Sequence, residues 1–264
     1  MYTYGSPLHP RVIPCLLLKG EGLVKTKKFK DPTYLGDPRN IVRIFNEKEV
    51  DELILLDINA SMENKGPNFE LIHEIASECF MPLGYGGGIT STEEIRRLLG
   101  IGLEKVVLNT SAIRNPSLIT EAAKLTGSSS VVVSMDVKRN LFGGVEVYVK
   151  NGTKGTGLSP SILAKRVEDA GAGEIFLNSI DRDGMMSGYD IEMIRNVSES
   201  VKIPVIACGG AASVSDLGKA IVEGGASAVS AGSLFVFQGR HRAVLISFPD
   251  SNELNHVFGI TTKI

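Results

Sequence analysis

The chain has no tryptophan, only three cysteines and only four histidines in 264 residues, and each scarcity removes a class of protein. Cys15, Cys79 and Cys208 are too few and too scattered for a disulfide framework or a cysteine-rich zinc site. His9, His73, His241 and His256 show no metal-ligand spacing, so no metal and no other cofactor is expected. A charge excess is lacking too: 28 basic and 30 acidic side chains leave a net charge of −2. A nucleic-acid partner, which calls for a basic footprint, is therefore not expected. No apolar run approaches the ~18 residues of a spanning helix, so no membrane role is expected. Met1–Pro10 has none of the regions of a signal peptide, and a reducing cytoplasm is the expected location.

What is present is apolar and rich in glycine. A hydrophobic content of 43% with 22% charged residues suits a sizeable core, and excludes disorder. Val12–Leu18, Glu52–Asp57, Met81–Tyr85, Lys105–Asn109, Val131–Asp136, Glu174–Asn178, Val205–Cys208 and Ala228–Ala231 read as buried strands. They are rich in Val, Ile and Leu and mostly end at Gly, Asp, Asn or Ser, as strands of a covered parallel sheet do. Helical patterns lie between them at Ser91–Leu99, Pro116–Leu125, Pro160–Ala170, Ile191–Ser198 and Ser215–Glu223. Eight strand-helix units in about 250 residues is the arithmetic of a (β/α)8 barrel, with a doubly wound sheet as the alternative.

An internal repeat favours the barrel. Met81-Pro-Leu-Gly-Tyr-Gly-Gly-Gly-Ile-Thr-Ser91 reappears as Ile203-Pro-Val-Ile-Ala-Cys-Gly-Gly-Ala-Ala-Ser213, an offset of 122 residues. At that offset Glu52 falls on Glu174 and Asn109-Thr110-Ser111 on Ala231-Gly232-Ser233. An offset of 119 brings Leu17-Leu18-Lys19 onto Asp136-Val137-Lys138. The expectation is one TIM-barrel domain over 1–264: similar half-barrels over about 11–130 and 131–245, then a tail over 246–264.

In such a barrel the reactive face lies at the C-terminal ends of the strands. Two glycine-rich clusters fall there: Gly86, Gly87, Asn109 and Thr110 in the first half, and Asp183, Gly184, Gly209, Gly210, Gly232 and Ser233 in the second. Exposed backbone N–H groups at such ends bind phosphate, so a substrate with a phosphate at each end is expected. The plainer reading is that the glycines serve tight turns. Asp136, ending a Val-rich strand, is the candidate general acid or base; it could instead cap a helix or pair with Lys138. Its mate at the 119 offset is Leu17, which can neither give nor take a proton. Lys25 lies in a basic loop, Lys19–Lys30, long enough to form a lid, and either holds phosphate or is simply solvated.

Arg11, Glu52, Lys105 and Glu174 stand at strand starts and should ring the opposite, N-terminal mouth. They form either a sealing salt-bridge layer or a gate. Cys15 and Cys208 read as small core residues. The basic run Gln238-Gly-Arg-His-Arg-Ala243 either meets an anion at the mouth or opens an exposed helix.

Taken together, these segments resemble the cyclase subunit of imidazole glycerol phosphate synthase, the HisF family. The resemblance runs from Arg11 to Phe237 through Arg11-Val-Ile-Pro-Cys-Leu16, Asp51-Glu-Leu-Ile-Leu-Leu-Asp57, Lys105-Val-Val-Leu-Asn-Thr-Ser-Ala112, Val131-Val-Val-Ser-Met-Asp-Val-Lys-Arg139, Ser179-Ile-Asp-Arg-Asp-Gly184 and Ile203-Pro-Val-Ile-Ala-Cys-Gly-Gly-Ala211. It implies a glutaminase partner on the N-terminal face and ammonia passing through the barrel to a bisphosphorylated substrate. It also implies that Arg11, Glu52, Lys105 and Glu174 gate that ammonia, and that Lys25 and the two glycine clusters hold phosphate. The family works with two carboxylates; Asp136 matches one, and Leu17 stands in place of the other. Leu17, in the strand end Cys15-Leu-Leu-Leu-Lys19, and the ending Gly239–Phe248 resemble a paralogous branch tied to surface-polysaccharide sugars, while Cys208 stands where the family commonly has serine. Three readings follow: a diverged barrel delivering ammonia for sugar amidation, a working cyclase of histidine biosynthesis, or a non-catalytic ammonia conduit that activates the glutaminase.

Overall fold

The computed structural model describes residues 9–140 and 143–260. Eight parallel strands close on themselves: β1 (Arg11–Lys19), β2 (Leu53–Asp57), β3 (Leu83–Gly86), β4 (Lys105–Leu108), β5 (Val131–Arg139), β6 (Glu174–Ser179), β7 (Val205–Cys208) and β8 (Ala228–Ala231). Each pairs with the next, and β8 returns to β1 through Arg11↔Ala228 to Pro14↔Ala231, so no barrel strand is left with a free edge. All eight expected strands are present, displaced by one to three residues at most. The fold is a (β/α)8 barrel.

The main helices are α1 (Pro38–Glu47), α2 (Phe69–Ser77), α3 (Thr92–Ile101), α4 (Ser117–Thr126), α5 (Pro160–Asp169), α6 (Ile191–Ser198), α7 (Val214–Val222) and α8 (Ser251–Val257). Five match the sequence reading. α1 and α2 were not singled out, although both carry ordinary start signals: Asp37 and Asn68 cap them, and Pro38 opens α1. α8 lies within the segment expected to be a tail and packs on α7.

Strand periodicity divides the core in two. Along β1, Val12, Leu16 and Leu18 face the helices, whereas Ile13, Cys15 and Leu17 fill the barrel with Ile54, Val107, Val132, Phe176 and Ile206. Successive side chains alternate across a strand, so a step of two residues stays inside.

The expected lid over Lys19–Lys30 is not a loop. Strands Gly22–Lys27 and Lys30–Gly36 form an antiparallel ribbon that continues β1, pairing Leu17 with Val24 and Leu18 with Leu23. The segment is rich in lysine, but Leu23 and Val24 are buried and decide the conformation. A second ribbon (Val145–Val149 and Lys154–Gly155) extends β5 in the same way. Nor does the basic run after β8 open a helix. It turns between two short paired strands, and Arg242 Nη1 donates to the Gly184 carbonyl at 2.9 Å.

Candidate active site

The two-residue period aligns three levels inside the barrel. Arg11, Glu52, Lys105 and Glu174 start the inward-facing columns of β1, β2, β4 and β6. Two residues on come Ile13, Ile54, Val107 and Phe176, all buried and apolar. Further along the same columns stand Leu17, Leu56, Asn109 and Asn178, with Asp136 on β5, around a cavity of ≈100 Å³ at the C-terminal mouth.

At the N-terminal mouth the four charges close into one ring. Arg11 bonds Glu52 Oε2 at 2.5 Å and Glu174 Oε1 at 2.7 Å, and Lys105 Nζ bonds Glu52 Oε2 and Glu174 Oε2 at 3.0 Å each. Burial works against the Arg11 charge, but Glu174 and Glu52 outweigh it and hold the guanidinium above its ordinary value. Glu52 Oε1 is buried with no hydrogen-bond partner among the described residues. One acceptor therefore remains free in a ring otherwise bonded.

At the other mouth, Asp136 neither caps a helix nor pairs with Lys138, whose ammonium lies over the Tyr148 ring. Its Oδ2 accepts from Asn109 Nδ2 at 3.0 Å. Burial, and then the nearby Asp183 carboxylate, push Asp136 up to about 7, against the opposing effect of the Asn178 and Asn109 amides. A carboxyl poised there can both give and take a proton near neutrality. No cation pairs with it among the described residues.

Lys25 and Asp183 meet in the same cavity, 2.6 Å apart, and Thr26 Oγ1 donates to the other carboxylate oxygen at 2.9 Å. Lys25 is buried on the ribbon, so the solvated reading of this residue does not hold. Gly86, Gly87, Asn109, Thr110 and Gly232 line the main cavity, while Gly184, Gly209, Gly210 and Ser233 line a small adjoining space with Lys25 and Asp183. Ser233 Oγ is buried and unpartnered among the described residues.

Two glycines show that packing alone already demands them. A Cβ on Gly184 would stand 2.1 Å from the Thr26 carbonyl, and one on Gly210 would stand 2.2 Å from the Gly188 carbonyl. Both also have positive φ, +70° and +116°. Cys15 and Cys208 are buried as expected, yet both line the cavity.

Asn178 was missed. It lies beside Asp136 in register, lines the cavity, and its Oδ1 is buried without a partner among the described residues. Counting by twos from Glu174 would have found it.

The fold and this cavity define a (β/α)8 barrel with a polar cavity at the C-terminal ends of its strands and a ring of four charges at their N-terminal ends. The chain belongs to the family described as histidine biosynthesis protein, whose model matches residues 11–242. It is 57% identical over 245 residues to a Pseudomonas aeruginosa protein provisionally named imidazole glycerol phosphate synthase subunit hisF2, covering 93% of this chain and 98% of that one. Identity is 50% over 252 residues to a provisionally named HisF subunit of Leptospira interrogans, covering 95% and 99% of the two chains. It is 46% over 225 residues to the imidazole glycerol phosphate synthase subunit HisF of Alkaliphilus metalliredigens, covering 85% and 89%.

Proposed function

We propose that this HisF-like barrel receives ammonia from a HisH-type glutaminase subunit at its N-terminal mouth and delivers it through the barrel to a phosphorylated substrate at the C-terminal mouth. The reaction served is amidation of a sugar for a surface polysaccharide, in the cytoplasm, instead of imidazole ring closure. Leu17 carries this reading. It occupies an inward position at the mouth, where the family resemblance calls for a second carboxylate, and leucine does no proton chemistry.

The rest of the interior suits ammonia transfer. The ring of Arg11, Glu52, Lys105 and Glu174 stands below the packed apolar layer of Ile13, Ile54, Val107 and Phe176, which the ammonia has to cross. Neutral ammonia crosses such a layer at little desolvation cost, whereas ammonium does not. Glu52 Oε1, free of other partners among the described residues, offers an acceptor for an arriving N–H. At the far end Asp136 takes the proton that the nitrogen loses as it displaces the leaving group of an activated carbon of the sugar, which departs with the electron pair of the broken bond. One carboxylate suffices for that transfer. Ring closure with cleavage of the ribonucleotide asks for paired transfers, and loss of one acid–base group costs ~10²–10⁴-fold in rate.

The test is turnover of the imidazole precursor with ammonium. The expected result is little or no activity in the native chain and partial recovery in Leu17→Asp. Robust turnover by the native chain overturns the reading and makes the protein a cyclase of histidine biosynthesis.

A further inference from the structure

The two halves of the mouth share one plan but are finished with opposite chemistry. At the 119-residue offset Leu17 falls on Asp136, and at the 122-residue offset Leu56 falls on Asn178. Leu17 and Leu56 are neighbours in register across β1 and β2, and Asp136 and Asn178 are neighbours in register across β5 and β6. All four line the same cavity. Equivalent positions therefore present two leucines on one side and a carboxyl with an amide on the other.

The apolar side is continuous. Leu17, Leu56 and Ile58 pack in one cluster, Ile58 lying two residues beyond Leu56 and so on the same face. Phe29, at the turn of the ribbon after β1, adds an aromatic ring to this wall. That ring is seated on the second ribbon, where a Cβ on Gly152 would stand 3.0 Å from Phe29 Cδ2. Asp57, the carboxylate beside the wall, is engaged: its Oδ1 accepts from the Asn59 and Ala60 amides at 2.9 and 3.0 Å. Leu56 and Ile58 remain half-buried and face the cavity. At ≈100 Å³ the cavity admits no protein segment, so a small molecule is what covers them. A hydroxyl turned toward such a wall loses water without gaining a partner, a cost that weakens binding about tenfold, whereas a methyl group gains by the contact.

We propose that the substrate carries an exocyclic methyl group, from a 6-deoxy carbon or an N-acetyl group, on the edge opposite Asp136, and that Leu17 and Leu56 select for it. Leu17 then has a role of its own, as a specificity-determining contact, besides standing where a carboxylate is missing. This rests on the reading that a phosphorylated sugar binds at the C-terminal mouth.

The test is calorimetric titration of the full chain with glucose 1-phosphate, 6-deoxyglucose 1-phosphate and N-acetylglucosamine 1-phosphate. At least one of the two methyl-bearing ligands is expected to bind about tenfold more tightly than glucose 1-phosphate, and which one does so tells the deoxy source from the N-acetyl source. Leu56→Asn, which copies the second half, and Leu17→Asn each erase that preference. Leu17→Met keeps it, which a merely structural role would not explain, and Leu245→Ala at an exposed position leaves it unchanged. Methyl-bearing ligands that bind no more tightly than glucose 1-phosphate, no measurable binding of any of the three, or a preference that survives in both asparagine variants at native melting temperature overturn the proposal. Failure of the sugar reading shows elsewhere, as robust turnover of the imidazole precursor by the native chain.

Discussion

Lys25 Nζ sits 2.6 Å from Asp183 Oδ1, and both side chains are buried. This pair, with the bond from the Lys28 amide to the Asp183 carbonyl at 2.8 Å, ties the ribbon after β1 to the loop after β6. Removing one partner strands the other charge away from water. Lys25→Met is expected to destabilise the fold by about 3 kcal/mol, and Lys25→Arg by less, as read from urea midpoints. A midpoint unchanged in Lys25→Met would show that the ribbon is not anchored there.

The raised value of Asp136 has a sign that stability measurements can read. Its folded value of about 7 lies above the ordinary carboxylate value of 3.8, so folding takes up a proton between the two. The contribution of this group is therefore most favourable below pH 4, declines as pH rises, and levels off above about 7. Asp136→Asn removes the buried charge. Its melting temperature should exceed that of the native chain at pH 8, and the gap should narrow as pH falls through 7 and close only below about 4. A gap independent of pH would place the Asp136 value in the ordinary range.

Asp183 is the second cause of that rise. Asp183→Asn should move the midpoint of the Asp136 titration downward, followed by carbon NMR of the carboxyl. Burial remains the larger cause, so the midpoint should stay above the ordinary carboxylate value. A midpoint that does not move would show that Lys25 already cancels the Asp183 charge at Asp136.

The ring at the N-terminal mouth makes a prediction about coupling. Lys105→Glu places a third carboxylate beside Glu52 and Glu174, leaving Arg11 as the ring's cation. If the ring passes ammonia from a glutaminase, glutamine-dependent turnover should fall more than turnover on free ammonium salts. Equal losses in the two assays would make the ring a structural seal.

Glycines separate by what surrounds them. Gly210→Ala meets a carbonyl at 2.2 Å with φ at +116° and should unfold or severely destabilise the chain. Gly100, late in α3, has nothing within 4 Å of a Cβ. Gly100→Ala should stabilise by ~0.5 kcal/mol through lower entropy of the unfolded chain, measured by thermal melting.

The barrel is legible in the amino-acid sequence. Short Val, Ile and Leu runs, helical patterns and the 122-residue repeat are local or periodic signals, and burial of both sheet faces leaves them on the chain. The charge ring was legible too, because its members all begin strands. The ribbon after β1 was not, because its lysines mask the two buried residues, Leu23 and Val24, that pair with β1. Asn178 escaped for a different reason: an amide carries no signal until its strand parity is counted.

Which side chains meet was decided only by closure of the barrel. Arg11 and Glu174 are 163 residues apart, and Lys25 and Asp183 are 158 apart. No local pattern fixes such partners; the register of eight strands does. The same closure brings Asp183 close enough to raise Asp136 and sets Leu17 and Leu56 around one cavity with Asp136 and Asn178. Leucine at position 17 could be read from the chain alone, but that it faces the cavity with Asp136 follows from the alternation of a paired strand.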